Sequence, residues 1–164
     1  MKSTAFAPLL VAVALLVGCS SGDESGTPPQ AFFQPTRDQA TLASVVAAVQ
    51  GAVPQATKTI GITEDNDPNK LIGRPNGYVG ATVIEDSRIK CSEGRKIGVS
   101  CGAMVEEWPD NDSAQRRSAY IRRAREGMPI LGQEYDYVRG PFLLRVSGDL
   151  KPSQAKKYEQ AFTD

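Results

Sequence analysis

The chain has 164 residues, with 19 basic and 19 acidic side chains and no histidine. Its length suits one domain of ordinary size, and 40% hydrophobic with 23% charged residues is typical of a globular protein. The balanced charge argues against a general nucleic-acid binder, and the lack of histidine excludes Ser-His and Cys-His catalysis and every histidine-ligated metal site.

Residues 1–18 are predicted to be a secretion signal. Lys2 gives them a charged start, and the apolar run from Phe6 to Val17 is shorter than the ~20 residues that a membrane-spanning helix needs. Directly after it, Leu16-Val17-Gly18-Cys19 resembles the lipobox of bacterial lipoproteins. That resemblance implies that Cys19 carries fatty chains of the palmitate type and holds the protein on the extracytoplasmic face of the cell membrane. The alternative is an ordinary signal peptide with a coincidental cysteine.

Residues 19–35 are rich in Ser, Gly, Thr, Pro and Gln, which predicts a flexible tether and leaves residues 36–164 as a single domain. The pattern Thr36-x-x-Gln39 is typical of a capping box. Apolar residues then recur at helical spacing from Leu42 to Val49, and Gly51 with Pro54 ends this first predicted helix.

The remaining pattern alternates strands and helices. A turn-rich stretch is predicted over residues 57–77, strands over 79–83 and 99–105, a hairpin over 135–146 around Gly140, and a last helix from Pro152. A middle helix is predicted from Asp110 or Asp112 to Gly127, and its apolar side chains are Ala114, Ile121, Ala124 and Met128, with Tyr120 beside them. The order α-β-β-α-β-β-α predicts an α+β fold, with an antiparallel sheet of about four strands covered by helices on one side.

Two cysteines remain after the proposed lipidation site, Cys91 and Cys101. In an oxidising, exported environment such a pair is expected to form a disulfide. A metal site with two thiolates is the alternative, but it lacks the other two ligands that a tetrahedral ion needs.

Three stretches resemble small actinobacterial surface lipoproteins of no assigned activity. Residues 67–78, DPNKLIGRPNGY, are similar to a recurring D-P-N-x-L-[LI]-G-R-P-x-x-Y segment, and residues 102–121 and 134–147 resemble partly generic strand and helix patterns of the same family. The resemblance implies a lipid-anchored α+β domain and supplies no reaction. The cysteine pair is not part of the pattern.

The first of these stretches is rich in turn-forming residues, and Gly73 and Gly77 permit positive φ. One interpretation is a built turn that locks the first helix to the sheet. The other is a recognition surface lined by Asp67, Asn69, Arg74 and Tyr78.

Five arginines crowd the middle helix. At 100° per residue, Arg116, Arg122 and Arg123 point away from the core or to one side of it, whereas Arg117 and Arg125 flank the apolar stripe. One interpretation is a solvated helix face; the other is a docking face for anionic headgroups or wall polymers, formed by Arg116, Arg122 and Arg123.

Three short motifs are weak predictors of chemistry. Gly98-x-Ser100-x-Gly102 matches a nucleophile elbow but lacks a histidine, and Ser153-x-x-Lys156 matches the Ser-Lys pair of penicillin-interacting enzymes without their other motifs. Asp65, Asp67 and Asn69 have the spacing of a calcium loop whose later positions fail.

We therefore expect a non-enzymatic, lipid-anchored binding or interaction module of the cell envelope, with no cofactor, no metal, no catalytic residue and no nucleic-acid partner. Its partners are expected to be the membrane through its anchor and an envelope protein, a headgroup or an anionic wall polymer. The alternatives are a hydrolase using Ser153 and Lys156, and an inhibitor or sensor module.

Overall fold

The structure, a computed structural model, describes residues 40–91 and 97–164. The predicted signal over residues 1–18, the lipidation site Cys19, the tether over 19–35 and the Thr36–Gln39 cap lie outside the described residues. Within the described ranges, we find no helix with both the length and the apolar character needed to span a bilayer.

Five antiparallel strands form one sheet in the order β1-β2-β3-β5-β4. The strands are β1 Ala56–Gly61, β2 Gly80–Asp86, β3 Gly102–Glu107, β4 Glu134–Arg139 and β5 Phe142–Ser147. The helices are α1 Leu42–Ala52, α2 Asn111–Gly127 and α3 Pro152–Thr163. The predicted α+β class and the antiparallel sheet are confirmed, but the sheet has one strand more than the predicted four.

The additional strand, β1, lies in the region predicted to begin a turn-rich stretch. It is an edge strand that pairs only with β2 in this sheet, with Thr59 opposite Ile84. Most of its side chains are exposed, and the Nζ atom of Lys58 lies 3.6 Å from the Oε1 atom of Glu85 on β2. An edge strand with solvated side chains lacks the apolar alternation that identifies a strand in a sequence.

Helices cover both faces of the sheet rather than the one face predicted. Helices α1 and α3 pack on one face, together with Leu144 and Val146 of β5. Helix α2 and the segment before β2 pack on the other face, together with Leu143 of β5 and Met104 of β3. Successive strand residues point to opposite faces, so a central strand here is apolar on both of them.

The helix starts follow from their capping residues. Thr41 and Ser44 form the capping box of α1, with the Ser44 amide 3.2 Å from Thr41 Oγ1 and the Thr41 amide 2.9 Å from Ser44 Oγ. Helix α1 therefore begins at Leu42, the first apolar residue of the predicted helical spacing. Asp110, one of the two residues predicted to cap α2, accepts a hydrogen bond from the Ser113 amide at 2.6 Å. Pro152 is the first residue of α3, as predicted.

The predicted apolar stripe of α2 needs one correction at its carboxyl end. Ala114 and Ile121 are buried, and Ser118 joins them, but Met128 is 52% exposed and Tyr120 is 59% exposed. Helix α2 ends at Gly127, before Met128, so the helical spacing that predicted burial of Met128 no longer applies there.

The predicted disulfide between Cys91 and Cys101 is confirmed, with a Cα–Cα distance of 4.6 Å. Cys101 lies in a short 3₁₀ turn, Val99–Cys101, in a region predicted to be extended. Strand β3 begins only at Gly102, where φ is +150° and a Cβ atom would lie 2.5 Å from the carbonyl oxygen of Ile84. Only glycine fits that turn into the strand.

A buried carboxylate attaches α3 to the sheet. Asp86, at the end of β2, accepts a hydrogen bond from the Tyr158 hydroxyl of α3 at 2.7 Å and one from the Arg88 Nε atom at 2.8 Å. Because the carboxylate is paired with Arg88, its burial on the face covered by α1 and α3 leaves no unbalanced charge.

Candidate binding cavity

A cavity of about 520 Å³ opens beside the first half of α2. Its wall combines the loop before β2 with α2 and the end of β3. The lining side chains that concern us are Asn69, Trp108, Ser113, Arg116, Arg117 and Tyr120. The volume lies within the ~300–1,000 Å³ typical of small-molecule sites.

Asp67 holds the loop that forms one wall of this cavity. Its carboxylate accepts hydrogen bonds from the amides of Asn69 at 2.8 Å, Leu71 at 2.6 Å and Ile72 at 2.9 Å, and from the Tyr78 hydroxyl. Burial by itself would raise the pKa of Asp67, but the bond from Tyr78 and the amide bonds outweigh it and hold this pKa below its usual value. The sequence therefore makes a turn whose donors converge on one carboxylate.

Tyr78 is fully buried behind that carboxylate. Burial, and then its hydrogen bond to Asp67, raise the pKa of the Tyr78 hydroxyl above its usual value. Its ring meets the ring of Trp108 edge to face, with centroids 5.7 Å apart. The Trp108 indole N–H also donates to Glu106 Oε2 at 3.1 Å, so the wall that Trp108 contributes is fixed from two sides.

The predicted recognition surface is divided by the structure. Asp67 and Tyr78 are buried and support the loop, as in the built-turn interpretation, although they pack with the α2 side of the sheet and not with the first helix. Asn69 reaches the cavity. Arg74 is exposed and lines a separate cavity with Glu64 and Lys70.

Two of the predicted turn glycines serve different purposes. Gly73 has the expected positive φ of +69°. At Gly77 the requirement is space, because a Cβ atom there would lie 1.8 Å from the carbonyl oxygen of Leu71. Lys70 and Asn76 adopt the left-handed conformation within the same loop.

Two arginines bring positive charge to the cavity. The Nη2 atom of Arg116 donates to Ser113 Oγ at 2.8 Å, and that of Arg117 donates to Asn69 Oδ1 at 3.2 Å. The guanidinium of Arg117 lies 5.7 Å from the centre of the Tyr120 ring. Among the described residues that line the cavity, none carries a carboxylate.

Beneath the cavity lies a layer of charged side chains between α2 and the sheet, which we call the charge layer. It consists of three acids and three arginines: Glu106, Glu134, Asp136, Arg117, Arg125 and Arg145. Arg145 Nη1 donates to Glu106 Oε1 at 2.9 Å, and its Nε and Nη2 atoms each lie 3.1 Å from an oxygen of Glu134. The formal charges of the layer balance when all six groups are ionised.

The two outer arginines of the charge layer come from α2. Arg125 donates to Asp136 and, at 2.7 Å, to the backbone oxygen of Glu134. Arg117 Nε lies 3.9 Å from Glu106 Oε2, and within the described ranges this buried nitrogen has no hydrogen-bond partner. Helical spacing predicts that Arg117 and Arg125 flank the core, but it does not identify their acidic partners.

Asp136 has the most unusual environment in the charge layer. Burial and then the charge of Glu134 raise the pKa of Asp136 to about 7, against the opposing effect of Arg125. Its Oδ1 atom is buried and has no hydrogen-bond partner among the described residues. The setting of Asp136 therefore favours the protonated form more than the setting of an exposed aspartate does.

The arginines predicted to dock anions do not form one site. Arg116, Arg122 and Arg123 are all exposed, as expected from the helical wheel. Of the three, Arg116 lines the cavity, whereas Arg122 lies beside Glu126 and Gln133 in a smaller one. The cavity instead pairs Arg116 with its neighbour Arg117.

The weak catalytic and metal motifs lie elsewhere. Ser153 and Lys156 are exposed on α3, and Lys156 Nζ pairs with Glu159 Oε2 at 2.9 Å. Ser100 is exposed in the 3₁₀ turn. Both carboxylate oxygens of Asp67 hold the loop, and the part of the chain that the structure describes has no group of three or more acids or cysteines arranged to hold a metal ion.

Comparisons with protein-family models, with curated proteins and with solved structures found no match to this chain.

Proposed function

We propose that this protein is a lipid-anchored binding domain of the cell envelope, held on the extracytoplasmic face through Cys19 and acting without catalysis. The observation that carries the proposal is the sequence Leu16-Val17-Gly18-Cys19 directly after an apolar run. Acylation at that cysteine supplies two or more chains, and each buried methylene contributes about 0.8 kcal/mol to membrane affinity.

The disulfide supports an exported location. Cys91 and Cys101 are bridged, and structural disulfides persist in oxidising compartments and are rare in the cytosol. The family resemblance of residues 67–78 to surface lipoproteins supports the same location.

The cavity supports a binding role. Its wall provides guanidinium, amide and aromatic groups, which recognise ligands by charge, hydrogen bonding and stacking. The Ser153 and Lys156 alternative receives no such support. A lysine acts as a base when it is desolvated, whereas Lys156 is exposed and paired with Glu159.

Replacement of the acylated residue tests the proposal. We expect Cys19→Ala to release the protein from the membrane fraction into the medium or the periplasmic fraction, while the neighbouring control Ser20→Ala leaves it membrane-bound. Mass spectrometry of the wild-type amino-terminal peptide should show diacylglycerol on Cys19. An unmodified peptide that retains residues 1–18, with the protein in the cytosol, contradicts the proposal.

A further inference from the structure

The cavity has an excess of positive charge. In the charge layer beneath it, Glu106 offsets the charge of Arg117. Arg116 is not part of that layer and makes no ion pair among the described residues. Asp110, whose pKa falls because of hydrogen bonds from Ser113 and the charge of Arg116, is the cap of α2 and does not line the cavity. An anion that enters the cavity therefore meets two guanidinium groups and no lining carboxylate.

Both arginines already make side-chain contacts at the cavity, with Arg117 half-buried and Arg116 exposed. Arg116 is bound to Ser113, and Arg117 is bound to Asn69 and lies against the Tyr120 ring. Both side chains come from consecutive positions of one helix. Guanidinium groups with fixed planes bind carboxylate or phosphate oxygens through paired N–H donors, at a small additional entropy cost.

The rest of the wall suits a ring that carries hydroxyl groups. Tyr120 exposes 59% of its surface, and Trp108 supplies a second, fixed aromatic edge. The amide of Asn76 combines donor and acceptor atoms, which match hydroxyl groups, and that of Asn69 has a second N–H beside its bonds to Arg117 and Tyr78. The arginines match an anionic group, the amides match hydroxyl groups, and the aromatic rings match the face of a sugar ring. Together these groups are complementary to an acidic sugar.

We propose that this cavity binds a sugar unit bearing a carboxylate or a phosphate, with the anionic group on Arg116 and Arg117 and the sugar ring against Tyr120. This inference deepens the proposed function, on which it rests, by naming the ligand class of the binding domain. Both kinds of ligand carry an anionic group beside a hydroxylated ring. A comparison of a carboxylated with a phosphorylated sugar distinguishes them.

Trp108 makes the binding measurable, because it is the only tryptophan of the chain and lines the cavity. The full chain carrying Cys19→Ser is titrated with glucuronate, glucose 6-phosphate, glucose and inorganic phosphate at equal ionic strength, and tryptophan fluorescence is followed. We expect at least one acidic sugar to bind about tenfold or more tightly than both glucose and inorganic phosphate. The better of the two acidic sugars identifies the anion.

Variants at exposed positions locate the site without disturbing the fold. Arg116→Gln is expected to weaken acidic-sugar binding by about ten- to a hundredfold, as loss of a charged hydrogen bond predicts. Tyr120→Ala is expected to weaken binding of the acidic sugar more than binding of inorganic phosphate, because it removes the surface for the sugar ring and only one of the contacts of Arg117. Lys157→Gln, which makes the same charge change on α3, is the matched control and is expected to bind like the parent chain.

Several results overturn the inference: no fluorescence response to either acidic sugar, equal affinity for glucose, equal affinity for inorganic phosphate, or unchanged binding in Arg116→Gln. None of these bears on the anchor, because every chain in the experiment lacks the thiol of Cys19. Conversely, a cytosolic location would remove the proposed function and leave a measured affinity intact.

Discussion

At the scale of single residues, two carboxyl groups on the α2 side of the sheet have opposite environments. Asp67 is surrounded by donors that stabilise its charge, and Asp136 is buried beside another acid. Hydrogen bonding therefore lowers one pKa while burial raises the other. Each group gives a separate prediction about stability.

Removing the carboxylate of Asp67 should open the loop that walls the cavity. We expect Asp67→Ala to lower the free energy of unfolding by about 2–4 kcal/mol, because three amides and one hydroxyl lose their acceptor. Tyr78→Phe removes only one of these bonds and should cost about 1 kcal/mol. Urea unfolding of both variants measures the difference, and equal losses would show that the amide bonds to Asp67 contribute little.

Asp136 should make stability fall as the pH rises. Its folded pKa of about 7 lies above the usual 3.8, so the folded state binds this proton more tightly than the unfolded chain. The stabilisation is complete below the unfolded pKa and is lost as the pH rises through the folded one. Burial alone would also raise the pKa of Asp67 and Asp86, but hydrogen bonds hold both below their usual values, outside this window.

Urea midpoints at about pH 5 and about pH 8 test this slope. We expect the wild-type midpoint to decrease between them and that of Asp136→Asn, which cannot ionise, to decrease less. A wild-type midpoint that increases over this interval would mean that Arg125 keeps Asp136 charged.

At the scale of elements, the bridge between Cys91 and Cys101 ties the end of β2 to the start of β3. The connection spans 10 residues, and closing so short a loop stabilises the folded state by roughly 3 kcal/mol in the chain-entropy model. The strands on either side pair over Gly80–Glu85, and the core around Cys101 also contains Val83 and Met104, so we expect the fold to persist without the bridge.

We expect Cys91→Ser with Cys101→Ser to lower the melting temperature while the far-ultraviolet circular dichroism at low temperature stays that of the folded protein. Addition of reductant to the wild type should produce the same decrease, and reductant should leave the double variant unchanged. A wild-type melting temperature that is insensitive to reductant contradicts a stabilising bridge.

At the scale of the whole molecule, burial on both faces distinguishes this sheet from the predicted one. Leu143 and Leu144 are adjacent in β5, point to opposite faces and are both fully buried. A sheet covered on one side only would bury just one of them.

Both Leu143→Ala and Leu144→Ala are therefore expected to destabilise the protein by about 2–5 kcal/mol. The exposed Val79→Ala is the control, with an expected change within about 0.5 kcal/mol. Chemical denaturation measures all three. A loss of stability confined to Leu144→Ala would indicate that α2 does not cover its face.

The elements that the sequence predicts correctly have strong local signals. Gly140 marks the hairpin and Pro152 the start of α3, because turn and capping chemistry act within a few residues. Strand β1 has no such signal, since its exposed side chains follow neither period.

The candidate site was predicted less well than the fold. Glu134 and Asp136 alternate along β4 as solvent-facing residues do, yet they face α2, where Arg125 meets them. Arginine at the edge of an apolar stripe normally extends its charge to water. Ion pairs between distant elements depend on the tertiary structure. The signal for them in the sequence was indirect: acids on one face of a predicted strand, and arginines beside the apolar stripe of α2.

The contact between α1 and α3 has a consequence for the order in which the core can form as the chain is synthesised. These two helices lie side by side on one face of the sheet, although they are separated by most of the described chain. Helix α1 can meet Ile84 of β2 and Val105 of β3 once those strands have been made, but its neighbour on the same face is missing until residues 152–163 have followed. The layer formed by α1 and α3 is therefore completed last, by the carboxyl-terminal end of the chain.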